Sequence, residues 1–247
     1  MTKSIHLSLD AMGGDNAPYI IVDGAAQTKI RHPYVKFSFF GNKIKLLPLI
    51  NSSELLKESE IVHTEEFVDA NEKPSIAVRK GRNSSMGMAI QSVKSGKADA
   101  IVSAGNTGAL MAMAKLFLRP IDGINRPAIA AYFPTITGES CMLDLGANID
   151  CDAKNLVQFA FMGQAFANIV MGVDNPSISL LNIGEEEQKG LDYIKEASQI
   201  LSDLKSQINY AGFIEGDKIA QGISDVIIAD GFSGNASLKT AEGTAKF

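Results

Sequence analysis

Cysteine and histidine are scarce in this sequence, and neither is clustered. Cys141 and Cys151 are its only cysteines, with no second pair beside them, which excludes a disulfide framework and the usual structural zinc spacings. His6, His32 and His63 are scattered without metal-ligand spacing, so neither a metal nor a cofactor is expected. No apolar run approaches the roughly 18 residues of a membrane span, and the N-terminus lacks a signal peptide's apolar stretch. The expected location is the cytoplasm, with a peripheral membrane contact left open. Basic charge is also short: 23 Lys and Arg against 28 Asp and Glu leave a net charge of −5, which argues against a nucleic-acid partner. Three signatures are missing as well. No G-x-G-x-x-G follows a strand, no G-x-x-x-x-G-K-[ST] occurs, and there is no G-x-S-x-G nucleophile elbow. Cys141 lies inside an apolar strand with no basic neighbour to activate it as an acyl acceptor.

What is present is an ordinary globular chain of 247 residues, 45% hydrophobic and 21% charged, long enough to bury a sizeable core. Strands are expected at Ile5–Leu9, Val35–Phe40, Glu60–His63, Ala100–Ser103, Ala128–Phe133, Met142–Leu145, Ile178–Asn182, Tyr210–Ile214 and Val226–Ala229. Helices are expected at Pro18–Ile30, Ile76–Lys94, Thr107–Leu118, Ala153–Val170, Glu185–Leu204 and from Ala236 to the end. The alternation implies an α/β fold, a mainly parallel sheet covered on both faces, in one domain over 1–247. The helix at Ala153–Val170 has Asp152 as its N-cap and carries a stripe of Leu156, Phe159, Ala160, Gly163 and Ala167, suited to burial or to a second subunit. The final N-A-S-L-K-T-A-E-G-T-A-K-F reads as a helix only just begun, so the chain is expected to be truncated.

Five strands leave through small, polar, Gly-containing turns: D-A-M-G-G-D-N-A-P, S-A-G-N-T-G-A-L, L-D-L-G-A-N-I-D, L-N-I-G-E-E-E and A-D-G-F-S-G-N. Each alone is ordinary turn chemistry. Together they point to a pocket for a phosphate group, because ligands of open α/β sheets bind beyond the carboxyl ends of the strands. There glycine admits backbone N–H groups to an anion, and helix N-termini face it. In K-P-S-I-A-V-R-K-G-R-N-S-S-M, Arg79, Lys80 and Arg82 cluster on an otherwise acidic chain. They read either as a solvated helix face or as a docking patch for an acidic partner or a phosphate, with Ser84 and Ser85 as further donors.

In order along the chain, L-D-A-M-G-G-D-N-A-P, K-P-S-I-A-V-R-K-G-R-N-S-S-M, S-A-G-N-T-G-A-L, R-P-A-I-A, L-D-L-G-A-N, L-L-N-I-G-E-E-E-Q-K-G and A-D-G-F-S-G-N-A-S-L-K-T-A-E-G resemble the phosphate acyltransferases of fatty acid and phospholipid synthesis, the PlsX family. The resemblance implies transfer of a long acyl chain from acyl carrier protein to inorganic phosphate, giving acyl phosphate for phospholipid synthesis. It also implies a bacterial homodimer bound peripherally to the inner face of the membrane. The implied fold is a three-layer α/β/α sandwich related to phosphotransacetylase and isocitrate dehydrogenase. Family members continue beyond A-E-G-T-A-K-F with further helices.

Phosphate is already an oxygen nucleophile and a thiolate leaves readily, so such a reaction needs positioning and oxyanion stabilisation rather than a triad. Ser103, Asn106 and Thr107 are expected to cradle phosphate, with Gly105 and Gly108 letting the backbone approach. Asp10, Asn16 and the amides around Gly13 and Gly14 form the facing wall, with Asn148, Asn235 and Lys239 as further candidates. Asp10 and Asp144 orient donors or accept a proton from monoanionic phosphate. Arg79, Lys80 and Arg82 meet the acidic carrier protein or its phosphopantetheine. The alternatives are a non-catalytic phospholigand sensor or scaffold, and a phosphotransacetylase-like enzyme using acyl-coenzyme A.

Overall fold

The first strand, β1 (Ile5–Asp10), alternates apolar and polar side chains, and the alternation decides what each face packs against. Leu7 and Leu9 join Phe37 and Phe39 of β2 (Val35–Gly41) beneath α1 (Tyr19–Arg31) and α2 (Lys43–Asn51), whose Val22, Ala25, Leu46 and Ile50 complete the cluster. Ser8 points the other way and donates its hydroxyl to the Ala89 carbonyl of α4 (Ser85–Lys94) at 3.1 Å. On that side α4 packs with α3 (Pro74–Lys80) and α5 (Thr107–Leu118) through Ala77, Met86, Ile90, Ala109 and Met113. With β3 (Glu60–His63) and β4 (Ala100–Ser103) the strands form an all-parallel sheet in the order β3-β2-β1-β4.

This arrangement comes from a computed structural model that describes residues 4–246. The chain falls into two compact units, of which the sheet just described belongs to Met1–Pro120 and a second to Ile121–Phe247. The second sheet has the order β5-β6-β9-β7-β8, where β5 (Ala130–Thr135) pairs antiparallel with β6 (Gly138–Leu143). The other strands, β7 (Ile178–Leu181), β8 (Tyr210–Ile214) and β9 (Val226–Ile228), run parallel. One face meets α6 (Ala153–Phe166) and α7 (Asp192–Asp203): Leu143, Leu180 and Ile228 pack against Leu156, Phe159, Ala160, Ala197 and Leu201. The opposite face gathers Met142, Leu145, Ile214, Ile227 and Ala229, with Leu238 of α8 (Gly231–Lys246) packed against them. The α/β class with mainly parallel sheets and helices on both faces is therefore present, as two sheets where one was expected.

Several elements differ from expectation for local reasons. The helix expected at Ile76–Lys94 is two helices, because Gly81–Asn83 tightens into a 3-10 turn and Ser84 starts a new helix, its Oγ accepting from Gly87 N at 3.1 Å. α2 was not expected, and it forms with Pro48 inside it; Asn42 opens it by accepting from Ile44 N and Lys45 N. α7 begins at Asp192 rather than Glu185, and α8 begins at Gly231 rather than Ala236. The end of that last expected helix, at Phe247, lies outside the described residues. In the hairpin, β5 lies two residues later than expected at both ends, while β6 starts four residues before Met142 and ends two before Leu145. Asp152 caps α6 in a reciprocal pair with Asn155, and the stripe from Leu156 to Ala167 is buried within its own unit. Gly163 in that stripe has no room for a side chain: a Cβ would stand 2.5 Å from Val226 of β9.

Candidate active site

Parallel register sets Asp10, the last residue of β1, beside Ser103, the last of β4, so these two exits leave the sheet together. Strand alternation puts Asp10 on the α4 face with Ser8. Asp10 is 1% exposed, and its carboxylate is held at both oxygens. Ser85 donates its hydroxyl to Oδ1 at 2.5 Å, and Ser103 donates to Oδ2 at 2.7 Å. Ser103 Oγ in turn accepts from Gly105 N at 3.1 Å. The two turns touch backbone to backbone, and this is where glycine is required. A Cβ on Gly13 would run into Asp10 Oδ2, and one on Gly14 would stand 2.9 Å from the Ala104 carbonyl.

The second turn then enters α5. Asn106 is its N-cap, with Oδ1 accepting from Ala109 N at 2.9 Å. Both of its amide hydrogens go to main-chain carbonyls, of Ala70 and Glu72, at 2.9 Å each. The Asn106 side chain is thus spent inside the fold. What this exit still presents are the N–H groups of Thr107 and Gly108, in the first turn of α5, where no helical carbonyl reaches them. Gly108 also has a packing reason to be small, since a Cβ there would lie 2.9 Å from Pro74 of α3. Asn16 is exposed, and its carbonyl accepts from Ile20 N at 3.2 Å as α1 begins.

In the second unit, Asp144 follows β6 and is fully buried. Its Oδ1 accepts from Ile129 N at 2.9 Å and Ala147 N at 3.0 Å, and its Oδ2 from Asn148 N at 2.7 Å and Asn148 Nδ2 at 2.9 Å. Asn148 Nδ2 also donates to the Pro127 carbonyl at 2.8 Å. Four N–H groups on one carboxylate make it the clamp of the loop after β6. The β9 exit is locked to that loop: Gly231 N donates to Asn148 O at 2.8 Å, and Gly234 leaves no space for a Cβ against Asp144 O. Asn235 is exposed next to Gly146, while Lys239 is exposed on α8 and paired with Glu242 at 2.7 Å.

Asp230 was absent from the sequence-derived set and organises this second cluster. Its Oδ1 accepts from Phe232 N and Ser233 N at 3.0 and 2.9 Å; its Oδ2 accepts from Ser233 Oγ at 2.8 Å and Tyr193 OH at 3.2 Å. The signal was available in A-D-G-F-S-G-N, where an Asp precedes the first helical residue. Burial first, then the charge and hydrogen bond of Asp230, push the Tyr193 phenol up to about 12. Burial also pushes the thiols of Cys141 and Cys151 up to about 11, which leaves both as weakly nucleophilic thiols near neutral pH.

The basic cluster is divided by its surroundings. Arg79, Lys80 and Arg82 are all exposed. Arg82 lines an open groove of about 490 Å³ with Lys94, Gln91, Ser95, Leu116 and Phe117. Lys80 faces a smaller cavity of about 260 Å³ that also contains Glu65, Glu66 and Glu72, so its charge is locally offset. Among the described residues no helix is long and apolar enough to cross a membrane, and no cluster of three metal-ligating side chains occurs.

The chain is 51% identical over 247 residues to the phosphate acyltransferase of Rhodospirillum rubrum, matching all of this chain and 71% of that protein. It is 52% identical over 247 residues to the phosphate acyltransferase of Rhodospirillum centenum, matching all of this chain and 70% of the relative. Among solved structures, the EutD phosphotransacetylase from Staphylococcus aureus superposes with a TM-score of 0.70 at 17% identity, covering 98% of this chain and 83% of that one. A branched-chain phosphotransacylase from Enterococcus faecalis V583 superposes with a TM-score of 0.60 at 16% identity, covering 96% and 84%. At such identities these two show the fold alone. The model of the family described as fatty acid synthesis protein matches residues 5–247, and the chain belongs to that family.

Proposed function

We propose that this chain is a phosphate acyltransferase that moves an acyl group from a thioester to inorganic phosphate, releasing acyl phosphate and the free thiol. The observation that carries the reading is the 51–52% identity, over all 247 residues, with two proteins named phosphate acyltransferase. The proposed donor is acyl carrier protein, met by the groove of Arg82 and Lys94. A homodimer and a peripheral membrane contact belong to the same reading.

The chain's own groups suit the chemistry. Phosphate attacks the thioester carbonyl carbon, the carbonyl opens to an oxyanion, and collapse expels a thiolate. Thiols ionise near 8.5, so the leaving group needs little help. Phosphate is assigned to the first turn of α5, where the Thr107 and Gly108 N–H groups and the positive end of the helix dipole favour an anion. Asp10 orients rather than binds: both of its oxygens are occupied by serine hydroxyls. In the second unit Asp144 likewise orients, holding Asn148 at the β6 exit, and Asn235 is an exposed polar group of α8. Correct placement of two reactants is worth about 7–11 kcal/mol and one oxyanion donor about 10²–10³ in rate.

The test is to supply acyl carrier protein thioester and the matching coenzyme A thioester in parallel, with inorganic phosphate, and to trap acyl phosphate with hydroxylamine. Phosphate-dependent product from the carrier thioester is expected. Product from coenzyme A alone would reassign the donor, and no product from either would defeat the enzymatic reading.

A further inference from the structure

We propose that Ser85 is a positioning residue for phosphate, acting through Asp10 on the turn after β4; this rests on the acyl-to-phosphate reading above. Ser84 and Ser85 are adjacent, but only Ser84 is needed by the helix. Ser84 Oγ accepts from Gly87 N at 3.1 Å and donates to the Gly81 carbonyl at 2.6 Å, completing the cap of α4. Ser85 is fully buried, and its backbone N–H is already satisfied by the Glu66 carbonyl at 2.9 Å. Its hydroxyl crosses to Asp10 Oδ1 at 2.5 Å, joining residues 75 positions apart in sequence.

A serine hydroxyl has one hydrogen, so each of the two serines on Asp10 is polarised in one direction. Ser103, having given its hydrogen to Asp10 Oδ2, faces Gly105 N only as an acceptor. The chain Ser85 to Asp10 to Ser103 to Gly105 therefore sets the shape of the turn that delivers the N–H groups of Thr107 and Gly108. Without the Ser85 hydroxyl, Oδ1 becomes a carboxylate oxygen buried without its donor, and it re-aims toward the nearest N–H or O–H group. The Ser103–Asn106 turn moves with it. The proposed acyl donor is assigned to the groove of Arg82 and Lys94 rather than to this turn, so the effect is expected on phosphate.

The experiment compares Ser85→Ala, the size-matched Ser85→Cys and the neighbouring cap variant Ser84→Ala. Ser85→Ala is expected to raise the KM for phosphate about tenfold, the equivalent of one lost hydrogen bond, with the KM for the acyl donor unchanged. Ser85→Cys, a weaker donor of similar shape, should fall between wild type and Ala, and it carries the test should Ser85→Ala fail to fold. Ser84→Ala should lower the thermal midpoint without moving the phosphate KM. Unchanged phosphate kinetics in the Ser85 variants, or an equal change in Ser84→Ala, would overturn the proposal. A second readout separates it from the function itself: inorganic phosphate alone should raise the thermal midpoint of the wild type and do so less for Ser85→Cys and Ser85→Ala. A wild type that makes no acyl phosphate sinks the enzymatic reading while this readout still judges Ser85. Equal protection of all three proteins, or protection of none, refutes the positioning role.

Discussion

Asp10 and Ser103 end neighbouring parallel strands in register, and the Ser103 hydroxyl donates to Asp10 Oδ2 at 2.7 Å. The bond ties the glycine turn after β1 to the turn that opens α5. In the proposed phosphate site a carboxylate held this way is scaffold, with both of its oxygens taken up by serine hydroxyls.

Gly13 has no room for a methyl group, since a Cβ would press on the same Asp10 oxygen. Gly13→Ala should displace the Asp10 carboxylate and cut kcat/KM for phosphate roughly 10²-fold, the cost of about 1 Å of misplacement at a reacting centre. Steady-state assays of the purified variant, with circular dichroism as the check on folding, decide it. A fully active Gly13→Ala would show that Asp10 does not need its observed position.

Asp144→Ala should be a stability variant first. It strips the acceptor from the N–H groups of Ile129, Ala147 and Asn148, of which the Asn148 side chain and Asp144 itself are buried. Orphaning these donors should cost about 3 kcal/mol or more. Urea denaturation measures it, and a midpoint equal to that of the wild type would contradict the clamp.

Much of the fold was legible because its causes are local. Glu60–His63, Ala100–Ser103, Tyr210–Ile214 and Thr107–Leu118 occur at the expected residues, where short β-rich runs and a longer helical pattern carry the information. α2 was hidden by Pro48, and the break between α3 and α4 by three residues with no strong stop signal beyond Gly81. That the five glycine turns divide between two sheets is a matter of strand pairing, which composition along the chain does not encode. The strand exits were legible as turns but not as bonds. Asn106 looked like a donor and is a cap, while Ser85 looked like a surface donor and is buried against Asp10.

High pH should reveal two tyrosines. Tyr193 and Tyr210 are both pushed up to about 12, chiefly by burial, against about 10 in an unfolded chain. Above pH 10 the unfolded chain has lost these protons while the folded chain keeps them. The stability they contribute is therefore complete below pH 10 and is lost as pH rises toward 12. Absorbance titration at the phenolate band should show two of the five tyrosines ionising late. All five titrating together in the folded protein would be the contrary result.

The groove beside Arg82 and the cavity beside Lys80 call for different outcomes. Arg82→Glu reverses charge next to Lys94 and should raise the KM for the carrier thioester several-fold, an effect that shrinks with added salt. Lys80→Glu, among Glu65, Glu66 and Glu72, should change it far less. If the two variants behave alike, carrier docking does not depend on that groove.

The alternation of β1 makes packing and chemistry inseparable there. Leu7 and Leu9 belong to the core under α1 and α2, while Ser8 and Asp10 face α4. Because successive side chains alternate, deleting any one residue between Ile5 and Leu9 would exchange the two sets. Leucines would be sent toward Ser85 and a carboxylate into the apolar cluster. Insertions and deletions in this strand are thus closed to evolutionary drift. Variation among homologues should appear there only as substitutions that keep the order of large apolar and small polar residues.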